Sequence, residues 1–194
     1  MLLPRGLRAE QGREATLDLE AVSAQSGTTD SIVVSTAALS GTPAVSEAYT
    51  LGPVMLNGTQ LSGVQGVSID TGLQEIVLFA DGKTQPQHAG IIRRQPSITI
   101  SLTDAGVFDD LDIGGVSISA NVVVYLRKLV DGGTVVADDA STNISIAVAA
   151  GMAHMEPFGV SQGGHATPTI RITPTKGVAA IYVIDTTADI VTGS

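Results

Sequence analysis

Ser97-Ile98-Thr99-Ile100-Ser101-Leu102, SITISL, sets three apolar side chains at alternate positions with a hydroxyl before each. On an extended chain successive Cβ atoms point to opposite faces. The stretch therefore reads as a strand with Ile98, Ile100 and Leu102 on one face and Ser97, Thr99 and Ser101 on the other. The same period runs outward in both directions. Toward the N-terminus, VQGVSID (64–70) sets Val67 and Ile69 against Ser68 and Asp70, and LQEIVLFA (73–80) continues to a turn at Asp81-Gly82. PVMLNGTQL (53–61) carries Asn57-Gly58 between apolar flanks, the strongest short-range hairpin signal. ATLDLEAVSA (15–24) alternates Leu17, Leu19 and Ala21 with Thr16, Asp18 and Glu20, and SIVVSTAAL (31–39) is a further candidate strand.

Toward the C-terminus, SISANVVVYLRKLV (117–130) turns at Asp131-Gly132-Gly133 into TVVA, and NISIAVAA (143–150) follows. TPTIRITPT (167–175) and VAAIYVID (178–185), joined across Lys176-Gly177, complete roughly nine strands. One helix is expected, over about residues 104–111, where Asp104 can cap AGVFDDL ahead of Gly114-Gly115. Strands do not alternate with helices. The expected fold is mainly β, an antiparallel sandwich or barrel with one short flanking α-helix, forming a single domain over 1–194. Four segments stand outside the pattern. They are an extended or weakly helical arm at 1–14, a small-residue loop at 40–52, an irregular connection at 152–165 and a loose tail at 186–194.

Composition narrows the chemistry. Hydrophobic residues make up 43% of the 194 and charged residues 15%, a globular balance. Aromatic residues reach only 3%, so Val, Ile, Leu and Ala must build the core. That scarcity also argues against a sugar-stacking groove and against an aromatic platform for single strands. Net charge is −9 with ten scattered Lys and Arg, which disfavours a grip on phosphates but leaves room for DNA to pass without sticking. The absence of cysteine removes disulfides, thiolate catalysis and Cys-based zinc sites. MLLPRGLRAEQ lacks a signal-peptide core, and no run approaches the ~18 apolar residues of a membrane helix. Synthesis in a cytoplasm and no membrane partner are expected, and the sequons at Asn57 and Asn143 then read as chance matches.

The candidate catalytic motifs are weak. Gly82-Lys83-Thr84 imitates the end of a phosphate-binding loop, but that motif needs a glycine at Val77 and a helix after the threonine. His88, His154 and His165 lack metal-ligand spacing, with Glu156 the nearest carboxylate to His154; loop-borne His154, Glu156 and His165 are the best an enzyme could offer. Asp109, Asp110, Asp112, Asp131, Asp138 and Asp139 do not follow an EF-hand pattern, which leaves at most a surface calcium site. Gly66-Val67-Ser68-Ile69-Asp70 lacks the second glycine of a nucleophile elbow. No catalytic residue, cofactor or metal is expected.

The block LNGTQLSGVQGVSID, ADGKTQP, GIIRRQPSITISLTD resembles the tail tube (major tail) proteins of siphophages and prophages. The matching positions are Gly66, Val67 and Ile69, the turn at Asp81-Gly82, Arg94 and Pro96, then Ile98, Ile100 and Asp104. They cover about residues 52 to 106 and are patterns of turn and strand. The resemblance implies a non-enzymatic virion subunit, assembled in the host cytoplasm into the tail. Six β-sandwich copies would close into a ring, rings would stack into a tube, other tail proteins would join its ends, and DNA would leave through it. On that reading Arg5, Arg8 and Arg13 of the arm and Thr42, Pro43, Glu47 and Tyr49 of the loop are assigned to ring stacking. Ser68 and Asp70 face either the channel or a neighbouring subunit. The strands are poor in Lys, so their edges look made for joining, and a head-to-tail ring removes such edges. Two other classes stay open: another virion β-protein, such as a capsid decoration or tail-terminator subunit, and a calcium-stabilised binding module.

Overall fold

A computed structural model describes residues 2–25, 47–103, 118–130, 133–156, 167–175 and 182–191. Within them the chain forms twelve strands: β1 (Leu2–Glu10), β2 (Thr16–Ala21), β3 (Tyr49–Leu56), β4 (Thr59–Gln60), β5 (Val64–Asp70), β6 (Leu73–Leu78), β7 (His88–Arg94), β8 (Ser97–Leu102), β9 (Ile118–Lys128), β10 (Asn143–Glu156), β11 (Thr169–Pro174) and β12 (Val183–Ala188). Ten belong to one antiparallel sheet ordered β2-β1-β5-β8-β11-β10-β9-β3-β4, with β12 also on β10. The sheet curls into a half-barrel, so the expected all-β sandwich or barrel class is the observed one.

The SITISL pattern becomes β8 at the middle of this sheet. Ile98, Ile100 and Leu102 are fully buried there, and Thr99 and Ser101 sit on the opposite face. Val67 and Ile69 on β5, Ile170 and Ile172 on β11, Ala153 on β10 and Ala9 on β1 extend the same apolar layer. Leu51, Val54, Leu56, Val122, Val124 and Val148 close it from the other end of the curl. The two ends meet where the β1–β2 turn returns to β3: Glu14 bridges Thr50, and Ala15 N donates to Tyr49 O at 2.6 Å. The Asn57-Gly58 turn forms as expected. Both residues take positive φ (52° and 83°), which aligns the turn with strand twist and pairs Leu56 with Thr59.

β10 organises the far side. Its first half pairs with β12 and its second half with β11 along the same edge, while β9 lines the other edge throughout. Asn143 opens this strand fully buried. Its Oδ1 accepts from Lys128 N at 3.2 Å, and its amide donates to the carbonyls of Ala137 and Asp138.

β5, β6, β7 and β8 form one long hairpin broken at its waist. Asp70 pairs with Ser97 in the main sheet and Leu73 pairs with Arg94 beyond it, so β6 and β7 project as a separate two-stranded sheet. Gly72 makes the joint: at φ +56° a Cβ there would lie 2.0 Å from Gln95 O, and Gln95 N donates to Gly72 O. No residue with a side chain fits that approach without moving the backbone.

Several expectations are corrected. Within the arm at 1–14, Leu2–Glu10 are strand β1, because β2 and β5 supply hydrogen-bond ladders on both of its edges. Tyr49–Gly52, assigned to the loop, belong to β3. The irregular connection beginning at Met152 is strand as far as Glu156, because β11 pairs with it residue for residue. The tail is docked as far as Ile190, which is buried and whose N donates to Asp138 O. The expected helix at 104–111, the candidate strand at 31–39, Thr42 and Pro43 lie outside the described residues. Among the described residues no helix is long and apolar enough to cross a membrane.

Candidate assembly surfaces

The sheet register builds a polar face behind the core. Residues paired across β2, β1, β5, β8, β11 and β10 form a transverse row of Thr16, Arg8, Ser68, Thr99, Arg171 and His154. A second row, on the same side, carries Glu10, Gly66, Ser101, Thr169 and Glu156. A third holds Asp18, Gly6, Asp70 and Ser97. Period-2 alternation is the cause: every strand that turns Ile or Val inward must turn its next residue outward, and here that residue is Ser, Thr, Gly or a charge. The three rows hold no Phe, Tyr or Trp, and His154 is their one ring. Arg171 reaches Glu156 at 3.3 Å, and Asp18, Asp70 and Glu10 outnumber the remaining cation of the rows, Arg8.

Ser68 and Asp70 therefore share this face, Ser68 half-buried and Asp70 exposed. Asp70 Oδ1 also accepts from Gly72 N at 2.8 Å, which braces the waist of the hairpin. Tyr182 donates its hydroxyl to Asp70 O at 3.2 Å, and burial, followed by the Asp70 charge, pushes that phenol far above its ordinary range.

Of the residues assigned to stacking, Glu47 and Tyr49 contact each other, and Arg5, Arg8 and Arg13 are held differently along and beyond β1. Arg5 is held inside the fold: its guanidinium donates to Glu20, to Glu75 and to Leu73 O, joining β1, β2 and β6. The hydrogen bond from Arg5 holds the Glu75 carboxyl below its usual range, and those from Glu20 and Glu75 raise Arg5. Arg8 is exposed on the polar face, and Arg13 is exposed beside Glu10 at 3.0 Å. Glu47 accepts from Lys128 and from the Tyr49 hydroxyl (2.9 Å); those bonds, Lys128 first, lower its pKa. Sequence reasoning did not find these contacts of Arg5 because the strands it bridges are distant in the chain.

Sequence reasoning missed a second surface. Every residue of β2 is exposed, with Leu17 and Leu19 at 55% and 53%, and β2 ends the sheet. The β6–β7 hairpin exposes Leu78, Phe79, Ile91 and Ile92. Consecutive Ile91-Ile92-Arg93-Arg94 was the available signal.

The catalytic candidates stay apart. Gly82-Lys83-Thr84 lies in the loop that joins β6 to β7, with no helix following it. His88 begins β7, His154 is on β10, and His165 is outside the described residues. Among the described residues no three His, Asp or Glu converge on a metal position. A cleft of about 420 Å³ is lined by Gln11, Gly52, Gln60, Ser62, Gln65 and Arg127 among others, and Arg127 is engaged with Asp138 at 2.8 Å. Comparison with protein-family models, with curated proteins and with solved structures gives no match.

Proposed function

We propose that the protein is a structural subunit that closes into rings, six copies each, which stack into a phage-tail-type tube for the passage of DNA. The observation that carries this reading is the polar face. It spans six strands, presents hydroxyls, glycines and a slight excess of acids, and has no Phe, Tyr or Trp in its three rows. A channel wall of that character neither stacks on bases nor neutralises phosphates, so DNA slides past it. An open half-barrel with exposed edge strands suits a subunit whose sheet is completed by its neighbours. The resemblance of residues 52–106 to tail tube proteins points the same way. The site of action is then the virion tail, and the partners are further copies and other tail proteins.

Negative-stain microscopy of the purified chain, with sedimentation across protein and salt concentration, tests this. Rings or tubes with a central hole are expected. Monomers under every condition, or trimers that never stack, would overturn it.

A further inference from the structure

We infer that the exposed edge strand β2 of one copy receives the β6–β7 hairpin of a second copy, and that this contact propagates the ring. The inference rests on the self-assembling reading above and names the surfaces that would carry it.

The two elements are complementary in kind. β2 reads Thr16-Leu17-Asp18-Leu19-Glu20-Ala21, two exposed leucines among acids, with its outer edge unpaired among the described residues. β7 ends in Ile91-Ile92-Arg93-Arg94, four exposed residues that join two isoleucines to two cations. Lys83 adds a third cation at the hairpin tip. Among the described residues none of these three has a carboxylate partner, and Arg8 on the polar face is the one other Lys or Arg without one; Arg5, Arg13, Arg127, Lys128 and Arg171 are all paired. In a chain of net charge −9, three of the four unpaired cations among the described residues gather on one projecting hairpin, and the chain's own acidic surface is the matching partner.

The hairpin is also held in position. Thr71 donates through its N and its hydroxyl to the carbonyls of Arg5 and Pro4, and Arg5 grips Glu75 and Leu73 O. At the tip, Gln25 N donates to Pro86 O at 2.7 Å, and Gln87 Nε2 donates to Gln25 Oε1 at 2.8 Å. These contacts fix β6 and the tip to their own copy and leave β7 outward. A strand held rigid before binding loses little entropy on docking. β2 and β7 are different surfaces, so the contact is head-to-tail, the geometry that closes into rings. Strand addition of six or seven residues would cover the open edge of β2 and set the exposed end of β7 beside Leu17 and Leu19.

A charge exchange tests it. Asp18→Arg and the double variant Arg93→Glu with Arg94→Glu alter exposed side chains without ion-pair partners, and circular dichroism confirms folding. Where either fails to fold, Asp18→Asn and Arg93→Gln with Arg94→Gln replace them. Each charge variant alone is expected to weaken assembly by ~100-fold or more. Mixing the two charge variants is expected to restore it, since each interface then joins opposite charges again. The chain has no cysteine, so Leu19→Cys with Ile92→Cys gives an independent readout: a ladder of disulfide-linked multimers on oxidation. Wild-type assembly with variants that assemble equally well, or no ladder, overturns the inference and leaves the tube reading standing. A wild type that stays monomeric overturns both. Retention of duplex DNA by the wild type that is lost in Arg93→Glu with Arg94→Glu would assign the hairpin to nucleic acid instead.

Discussion

β8 and β2 look alike as sequences and end in opposite environments. SITISL and TLDLEA both alternate apolar with polar residues, yet Ile98, Ile100 and Leu102 are fully buried while Leu17 and Leu19 stay more than half exposed. The difference lies in the neighbours. β8 has β5 and β11 on its two edges and the rest of the curl over its apolar face; among the described residues β2 has β1 alone. Alternation specifies that a strand has an apolar face, and position in the sheet decides whether the same chain covers it. The β6–β7 hairpin makes the same point, since it continues β5 and β8 past the waist at Gly72 and exposes Ile91 and Ile92.

Truncation should separate the two environments most sharply. Ile100→Ala is expected to cost about 3 to 4 kcal/mol, through lost burial and the cavity it leaves. Ile92→Ala should stay within about 0.5 kcal/mol, as a surface change does. Urea denaturation of both variants measures this, and equal costs would erase the distinction between β8 and the hairpin.

The joint between the regions comes next. Gly72→Ala places a Cβ against Gln95 backbone and is expected to cost about 1 to 3 kcal/mol, the scale of a strained backbone position. Hydrogen exchange should show the loss concentrated in β6 and β7, with β8 still protected. Uniform loss across both would mean that the waist supports the entire sheet.

Leu17→Ser with Leu19→Ser should leave each site's stability within about 0.5 kcal/mol. Assembly should nonetheless weaken, which sedimentation measures, and unchanged assembly would count against β2 as a joining edge. The smallest effect concerns pH. Arg5 holds the Glu75 carboxyl below its usual range, so this pair stabilises the fold above that range and loses its contribution as pH falls through the depressed value. Glu75→Gln should therefore lower the melting temperature slightly at neutral pH and converge with the wild type below about pH 4.5, which flattens part of the acid limb. An unchanged acid limb would show that Arg5 does not couple β1 to β6 in solution.

The legible parts of the fold were those set by local chemistry. Asn57-Gly58 makes its turn because both residues tolerate positive φ, and the β5 and β8 faces follow from period 2 alone. β1 was not legible. Arg5, Gly6, Arg8 and Glu10 read as a polar arm, and they form a strand because distant β5 and nearby β2 satisfy their backbone groups. Met152–Glu156 became strand for the same reason, through β11. Of the candidate site, Ser68 and Asp70 were placed on one polar face by alternation, while Arg5 could not be assigned until β2 and β6 were seen to converge on it.

By itself, the sequence determined that this protein is an antiparallel β structure with an aliphatic core, no cysteine chemistry and an acidic surface. Only the tertiary structure decided which apolar faces the chain covers for itself. Backbone ladders and burial are long-range pairings: a strand's own residues set its two faces, and residues far along the chain decide whether either face meets water.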